Sequence, residues 1–161
     1  MHQSPDNDIR NILQSVYDPE IPVLSVVDMG IIRKLSRSAD EVVVHITPTY
    51  TGCPAMDVIS TQIRMALLAT GFPSVKIVQE LSPAWTTDWI SEEGKQKLKA
   101  YGIAPPIGKA IDSVWLEDLK VPCPQCNSTN TVLVSQFGST ACKALFKCLD
   151  CKEPFDYFKC H

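Results

Sequence analysis

CPQCNSTNTVLVSQFGSTACKALFKCLDC, residues 123–151, carries two Cys-x-x-Cys doublets, Cys123/Cys126 and Cys148/Cys151, separated by 21 residues. Each doublet can fold as a tight knuckle that offers two thiolates, and two knuckles side by side complete a tetrahedral sulfur shell for one Zn²⁺. Between them, TVLVSQF (131–137) and ACKALFK (141–147) read as two strands around Gly138-Ser139, and EPFDYFK (153–159) reads as a third. The spacing predicts a four-cysteine zinc ribbon over residues 121–161 with one structural zinc. A rubredoxin-like iron site or an Fe–S cluster uses the same four ligands, so spacing leaves the metal open. A segment of about 40 residues buries too little apolar surface to fold unaided, which makes the metal a folding requirement. A closed four-sulfur shell leaves no position for a substrate, so the ribbon is expected to be architectural or adhesive. Cys142 reads as a packed core residue, and Cys160 with His161 as a free C-terminal pair.

Charge narrows the partners. Residues 121–161 hold four Lys and Arg against three Asp and Glu, net +1, which Zn²⁺ and four thiolates would turn to −1. Residues 1–120 hold 11 basic against 15 acidic side chains, net −4. Neither part is basic, so no nucleic-acid partner is expected. No apolar run approaches the ~20 residues that cross a bilayer, and MHQSPDNDIRN lacks the basic start and apolar stretch of a secretory leader. The expectation is a cytoplasmic protein with no membrane partner. Seven cysteines, an odd number, in a reducing compartment point to metal ligation or thiol chemistry rather than to disulfides.

Upstream of the ribbon, residues 105–120 contain Pro105, Pro106 and Gly108 around an amphipathic IDSVWLEDL, the composition of a linker. Residues 1–104 then form the larger domain. Ser4-Pro5 can start a helix over 5–17, with Ile9, Ile12, Leu13 and Val16 at helical spacing. DPEIPVLSVVDMG (18–30) is a proline-shaped loop. GIIRKLS (30–36) and EVVVHIT (41–47) flank SRSAD as a hairpin, a second helix spans about 55–70, and VKIVQEL (75–81) is a third strand. A loop and a polar helix fill 82–103. The order αββαβα predicts an α+β fold, a small sheet with helices on one face. No Gly-rich phosphate loop occurs.

Two features of this domain carry chemistry. Pro54 after Cys53 puts a lone thiol at the mouth of the second helix, where free backbone N–H groups and the helix dipole favour a thiolate. Asp18 and Glu20 sit in a stiff loop, either as ligands or as turn formers. His45 inside VVVHIT reads as a satisfied strand residue, and Trp85 and Trp89 as packing groups.

DPEIPVLSVVDMGIIRKL, TPTYTGCPAMDVI and LSPAWTTDWISEEGKQKLKAYGIAPP resemble the SufT-like, MIP-type domain of iron–sulfur cluster assembly factors over residues 8–105. With the ribbon appended, the chain is similar to the PaaD family of accessory proteins of the multicomponent phenylacetyl-CoA epoxidase, a system of aerobic phenylacetate degradation. The resemblance implies that Asp18, Glu20, Thr51 and Cys53 handle a transient iron ion or Fe–S cluster. It also implies an accessory role beside other components of the epoxidase, helping to mature or deliver a metal centre, rather than independent catalysis. The chain has neither the Glu and His ligands of a di-iron oxygenase nor the nucleotide fold of a flavin reductase. One thiolate cannot hold a cluster, since four ligands are usual. The cluster would be shared by a homodimer or completed by a partner. The alternative roles are a purely structural adaptor of the oxygenase complex and, less in keeping with a thiol that lacks a CxxC partner, a redox enzyme.

Overall fold

The computed structural model describes residues 5–50, 52–107 and 116–159. The chain divides into two compact units, Met1–Trp85 and Thr86–His161. Among the described residues, no helix is long and apolar enough to cross a membrane.

The first unit contains α1 (Pro5–Leu13), β1 (Ile32–Arg37), β2 (Val42–Ile46), α2 (Ala55–Ala69) and β3 (Val75–Gln79). The strands form one sheet in the order β1-β2-β3, with β1 antiparallel to β2 and β2 parallel to β3. Parallel neighbours need a crossover, and α2 supplies it. Along β2 the side chains alternate: Val42, Val44 and Ile46 are buried, whereas Val43 and His45 are half-buried. Ile9 and Leu13 of α1 and Ile59, Ile63 and Leu67 of α2 are buried as well, all at most 1% exposed. His45 satisfies its ring through Glu80, with Nδ1 and Oε1 2.6 Å apart.

The first helix stops at Leu13 rather than running on to residue 17. The chain tightens there into a turn in which the Ser15 hydroxyl donates to the Ile12 carbonyl at 2.7 Å. Leu24 then closes the DPE loop by accepting from the Asp18 N–H at 2.9 Å. The loop's far end is fastened by Trp85, whose Nε1–H donates to the Met29 carbonyl at 2.8 Å.

The second unit contains α3 (Glu92–Tyr101), β4 (Ile103–Ala104), β5 (Thr131–Ser135), β6 (Lys143–Cys148) and β7 (Pro154–Phe158), with the sheet order β4-β7-β6-β5. Ser91 caps α3 by accepting from the Gly94 N–H, and Gly102, in the left-handed region at φ 95°, ends it. The segment 86–104, read from sequence as the end of the larger domain, groups with the ribbon because β4 pairs with β7 (Ile103↔Asp156, Ala104↔Tyr157). Two residues of strand, some fifty positions from their partner, leave no periodicity to read. Of the stretch read as a linker, residues 108–115 lie outside the described residues.

One core cluster of this unit joins Ala104, Val121, Cys123, Ala144, Phe146, Cys148, Phe155 and Tyr157. Phe146 stands at its centre, 6.0 Å from the Phe155 ring and edge-on to Tyr157 at 5.6 Å. A Cβ at Gly138, in the β5–β6 turn, would lie 2.6 Å from Asp156 Oδ1, so a side chain there obliges that carboxylate to swing aside. Phe146→Ala is expected to cost about 3–5 kcal/mol, measured by denaturant unfolding of the metal-loaded protein.

Candidate functional site

The first knuckle precedes β5. The Asn127 N–H returns to the Cys123 carbonyl at 2.9 Å, and Asn127 takes φ 60°, which aims Cys126 back toward Cys123. The second follows β6 and repeats the device, with Lys152 at φ 68° directly after Cys151. The strand pair Thr131↔Cys148 brings the two knuckles to the same end of the sheet.

A latch fixes their spacing. Asp150, between Cys148 and Cys151, accepts hydrogen bonds from the Ser128 hydroxyl and, at 3.0 Å, from Asn130 Nδ2. The Leu149 N–H donates to the Asn130 carbonyl at 2.8 Å. The Ser128 and Asn130 bonds hold the Asp150 carboxyl below the usual carboxylate range.

The resulting tetrad of Cys123, Cys126, Cys148 and Cys151 has all four sulfurs within 4.8 Å of one another. Cys123 Sγ stands 3.7 Å from Cys151 Sγ, and Cys126 Sγ 3.6 Å from Cys148 Sγ. A tetrahedral ion with ~2.3 Å bonds to sulfur sets its ligands about 3.8 Å apart. The donor set therefore fits a single four-coordinate ion. A cluster spreads four cysteine sulfurs over two or four irons and so sets some of them farther apart than the 4.8 Å within which all four lie here.

The thiols share their hydrogen bonds unequally, so that Cys148 is favoured as the thiolate and Cys151 disfavoured. The Cys151 backbone N–H, bonded to the Cys148 sulfur, is the main cause that brings the Cys148 thiol down to about 7. For Cys151, the Glu153 N–H favours the thiolate, yet burial and the neighbouring thiols push it up to about 12. Cys126 is also raised, although the Ser128 N–H pulls the other way. Ionisation is thus hindered at Cys126 and Cys151. A divalent cation removes that obstacle, so metal binding releases protons.

The lone thiol lies in the first unit. Gly52 takes φ +77°, a conformation that L side chains rarely adopt, and turns the chain into Cys53. The Cys53 N–H donates to the Tyr50 carbonyl at 3.2 Å, and its own carbonyl receives the Met56 N–H at 3.2 Å. Cys53 thus precedes α2 by two residues and is half-buried, with Thr49 Oγ1 4.0 Å from its sulfur. Pro54 at the helix start gives no side-chain cap, so the positive end of a 15-residue helix faces this loop.

Asp18 is 6% exposed and turned onto its own loop, where Oδ1 accepts from the backbone N–H of Glu20 (2.7 Å) and Ile21 (3.0 Å). It shapes the turn. Glu20 is half-buried beside it, and Thr51 lies outside the described residues, as do Cys160 and His161. Sequence reading missed Asp28, which is 2% exposed; its Oδ2 accepts from the Ser25 N–H at 3.4 Å while its own N–H donates to Ser25 Oγ at 3.0 Å. It also missed the Asp150 latch. For Asp28 the signal was a Ser three residues before it, too common to stand out, and the Asp150 contacts reach back 20 and 22 residues and leave no local pattern.

Comparison with known proteins bears on both units. Residues 6–78 match the family described as "Iron-sulfur cluster assembly protein", and residues 111–159 match the "PaaD zinc beta ribbon domain". The chain is 45% identical over 154 residues to a putative 1,2-phenylacetyl-CoA epoxidase subunit of Escherichia coli K12, covering 96% of this chain and 92% of that protein. An Fe-S protein maturation auxiliary factor of Porphyromonas gingivalis is 41% identical over 95 residues, 58% of this chain and 90% of its own. The crystal structure of a domain of unknown function, DUF59, from Bacillus anthracis superposes with a TM-score of 0.54 at 22% identity, over 57% of this chain and 89% of that one, a likeness of fold.

Lowering the pH reprotonates the tetrad, so metal retention falls as pH drops; a chelating dye followed across a pH series measures it. Asp150→Ala removes the latch and is expected to speed metal transfer to the chelator about tenfold at neutral pH.

Proposed function

Since the chain belongs to the family of the putative 1,2-phenylacetyl-CoA epoxidase subunit of Escherichia coli, we propose that it is an accessory protein of that epoxidase, maturing or delivering an iron or Fe–S centre. In this reading the two sulfur sites have separate work. The tetrad holds one resident zinc, with Cys123, Cys126, Cys148 and Cys151 as its ligands. That ion supplies structure: a closed shell leaves it no open position for chemistry. Cys53 handles the cargo. Its thiolate ligates an iron ion or a cluster, which is the substrate of the transfer, and gives it up when the client's ligands compete.

One observation carries this reading: a half-buried thiol at the start of α2, in the unit whose sequence matches iron–sulfur cluster assembly proteins. The helix end contributes by stabilising negative charge on sulfur. Asp18 acts here through the loop it shapes. Glu20 and Thr51 are proposed to border the cargo site. A single thiol leaves further coordination positions to a second copy of the chain or to the client.

The structural-adaptor reading has its own support, because two of the four tetrad cysteines are members of the second unit's core. The two readings part at Cys53. Anaerobic reconstitution with iron and sulfide should give the wild type metal beyond one zinc, with visible absorption from thiolate-to-iron charge transfer. Cys53→Ala should retain the zinc, lose the absorption and fail to support epoxidase activity in cells. Full activity of Cys53→Ala, alongside loss of the protein in Cys148→Ser, would sink the delivery reading and leave the adaptor.

A further inference from the structure

Helix α2 buries one face through Ala55, Met56, Ile59, Ile63 and Leu67. A second stripe lies well round the helix from it. Val58 is 45% exposed, Met65 65% and Leu68 43%, and Thr61 and Gln62 between them are also exposed. At about 100° per residue, these five positions cover an arc of roughly 120°. None carries a charge. A solvent-facing helix of a monomer ordinarily fills such an arc with charged side chains.

The charges stand at one border of the stripe: Asp57 and Arg64, both exposed. Seven residues, or about 10 Å of helix, separate them, so they cannot pair with each other on one chain. Neither makes a side-chain ion pair among the described residues. Their midpoint, close to residue 61, nearly coincides with the midpoint of Val58 and Met65 and with that of Thr61 and Gln62. The pattern is therefore its own complement under a two-fold axis through the middle of the helix. An antiparallel copy sets Val58 against Met65 and Asp57 beside Arg64, each contact occurring twice, while Thr61 and Gln62, on opposite flanks near the axis, each face their own equivalent. In antiparallel helix pairs the same flank of each helix meets its equivalent, so the charged borders fall together. This is the signature of an isologous interface.

We propose that the protein forms a homodimer through antiparallel packing of α2 against α2 of a second copy, with Val58 and Met65 in the seam and two Asp57–Arg64 ion pairs along one border. The dimer has a consequence for the cargo site, which rests on the reading of Cys53 given above, as the dimer itself does not. Cys53 lies at the start of α2, so the two thiols of such a dimer point to opposite ends, about 25 Å apart along the axis. They do not share one cluster. The remaining ligands must then come from the client.

The test is sedimentation equilibrium of the full-length, zinc-loaded protein and its variants, with far-ultraviolet circular dichroism to check folding. The wild type should be a reversible dimer. Met65→Glu, at an exposed position, should fold normally and raise the dissociation constant more than about tenfold. Asp57→Arg and Arg64→Asp should each weaken the dimer by about tenfold through like-charge contacts, and the double reversal should restore it. A wild type that stays monomeric at its highest soluble concentration would overturn the proposal. So would a dimer indifferent to Met65→Glu, or a double reversal no better than the single ones. A monomer whose co-purification with epoxidase components is lost in Met65→Glu would assign the stripe to another protein and likewise overturn it. None of these measurements depends on iron at Cys53, so delivery and dimerisation can fail independently.

Discussion

Four thiols crowded within 4.8 Å repel one another's negative charge, and that repulsion governs the second unit. The apolar cluster around Phe146 counts Cys123 and Cys148 among its members. Folding therefore drives sulfur into a space where it cannot all ionise alone. A cation in the middle turns the same four groups from an obstacle into the strongest cross-link of the unit. Sheet register, knuckle geometry and the Asp150 latch all serve to hold that arrangement.

The first unit solves a different problem. Its buried residues are mostly apolar side chains of two helices, a three-stranded sheet and the loop between α1 and β1. The Cys53 thiol, two residues ahead of α2, is half-buried and stands apart from the four-cysteine tetrad. Stability and exchange pull a cysteine in opposite directions, since a tightly held ligand cannot release cargo and a labile one cannot hold a domain together. Placing the two kinds of sulfur in separate units lets each be tuned without disturbing the other.

Much of this was legible in the sequence where a residue type has few uses. Paired Cys-x-x-Cys doublets announce a metal shell, and the β-branched runs 30–36 and 41–47 announce strands that the structure contains at 32–37 and 42–46. The α+β class and the assembly-domain likeness followed from the same stretches. Short elements and polar contacts were not legible. β4 is two residues long and exists only because β7 lies beside it. The Asp150 latch and the buried Asp28 depend on side chains that form turns far more often than sites. Asp18 could be read either as a ligand or as a turn former, and in the structure its carboxylate is bound to the backbone of its own loop. The exposed stripe of α2 was legible in principle, but a pattern search seeks the face that is buried, and here the second face carries the information.

Each knuckle contributes one inner and one outer sulfur: Cys123 and Cys148 are buried, Cys151 is half-buried and Cys126 is exposed. The shell is consequently lopsided toward solvent. An oxidant, a chelator or a competing ion meets Cys126 first, on the side where water already reaches, while the two inner sulfurs keep their grip from within the core. Exchange at this centre is thus directional, beginning at one corner and finishing at the residues whose departure would also unmake the sheet.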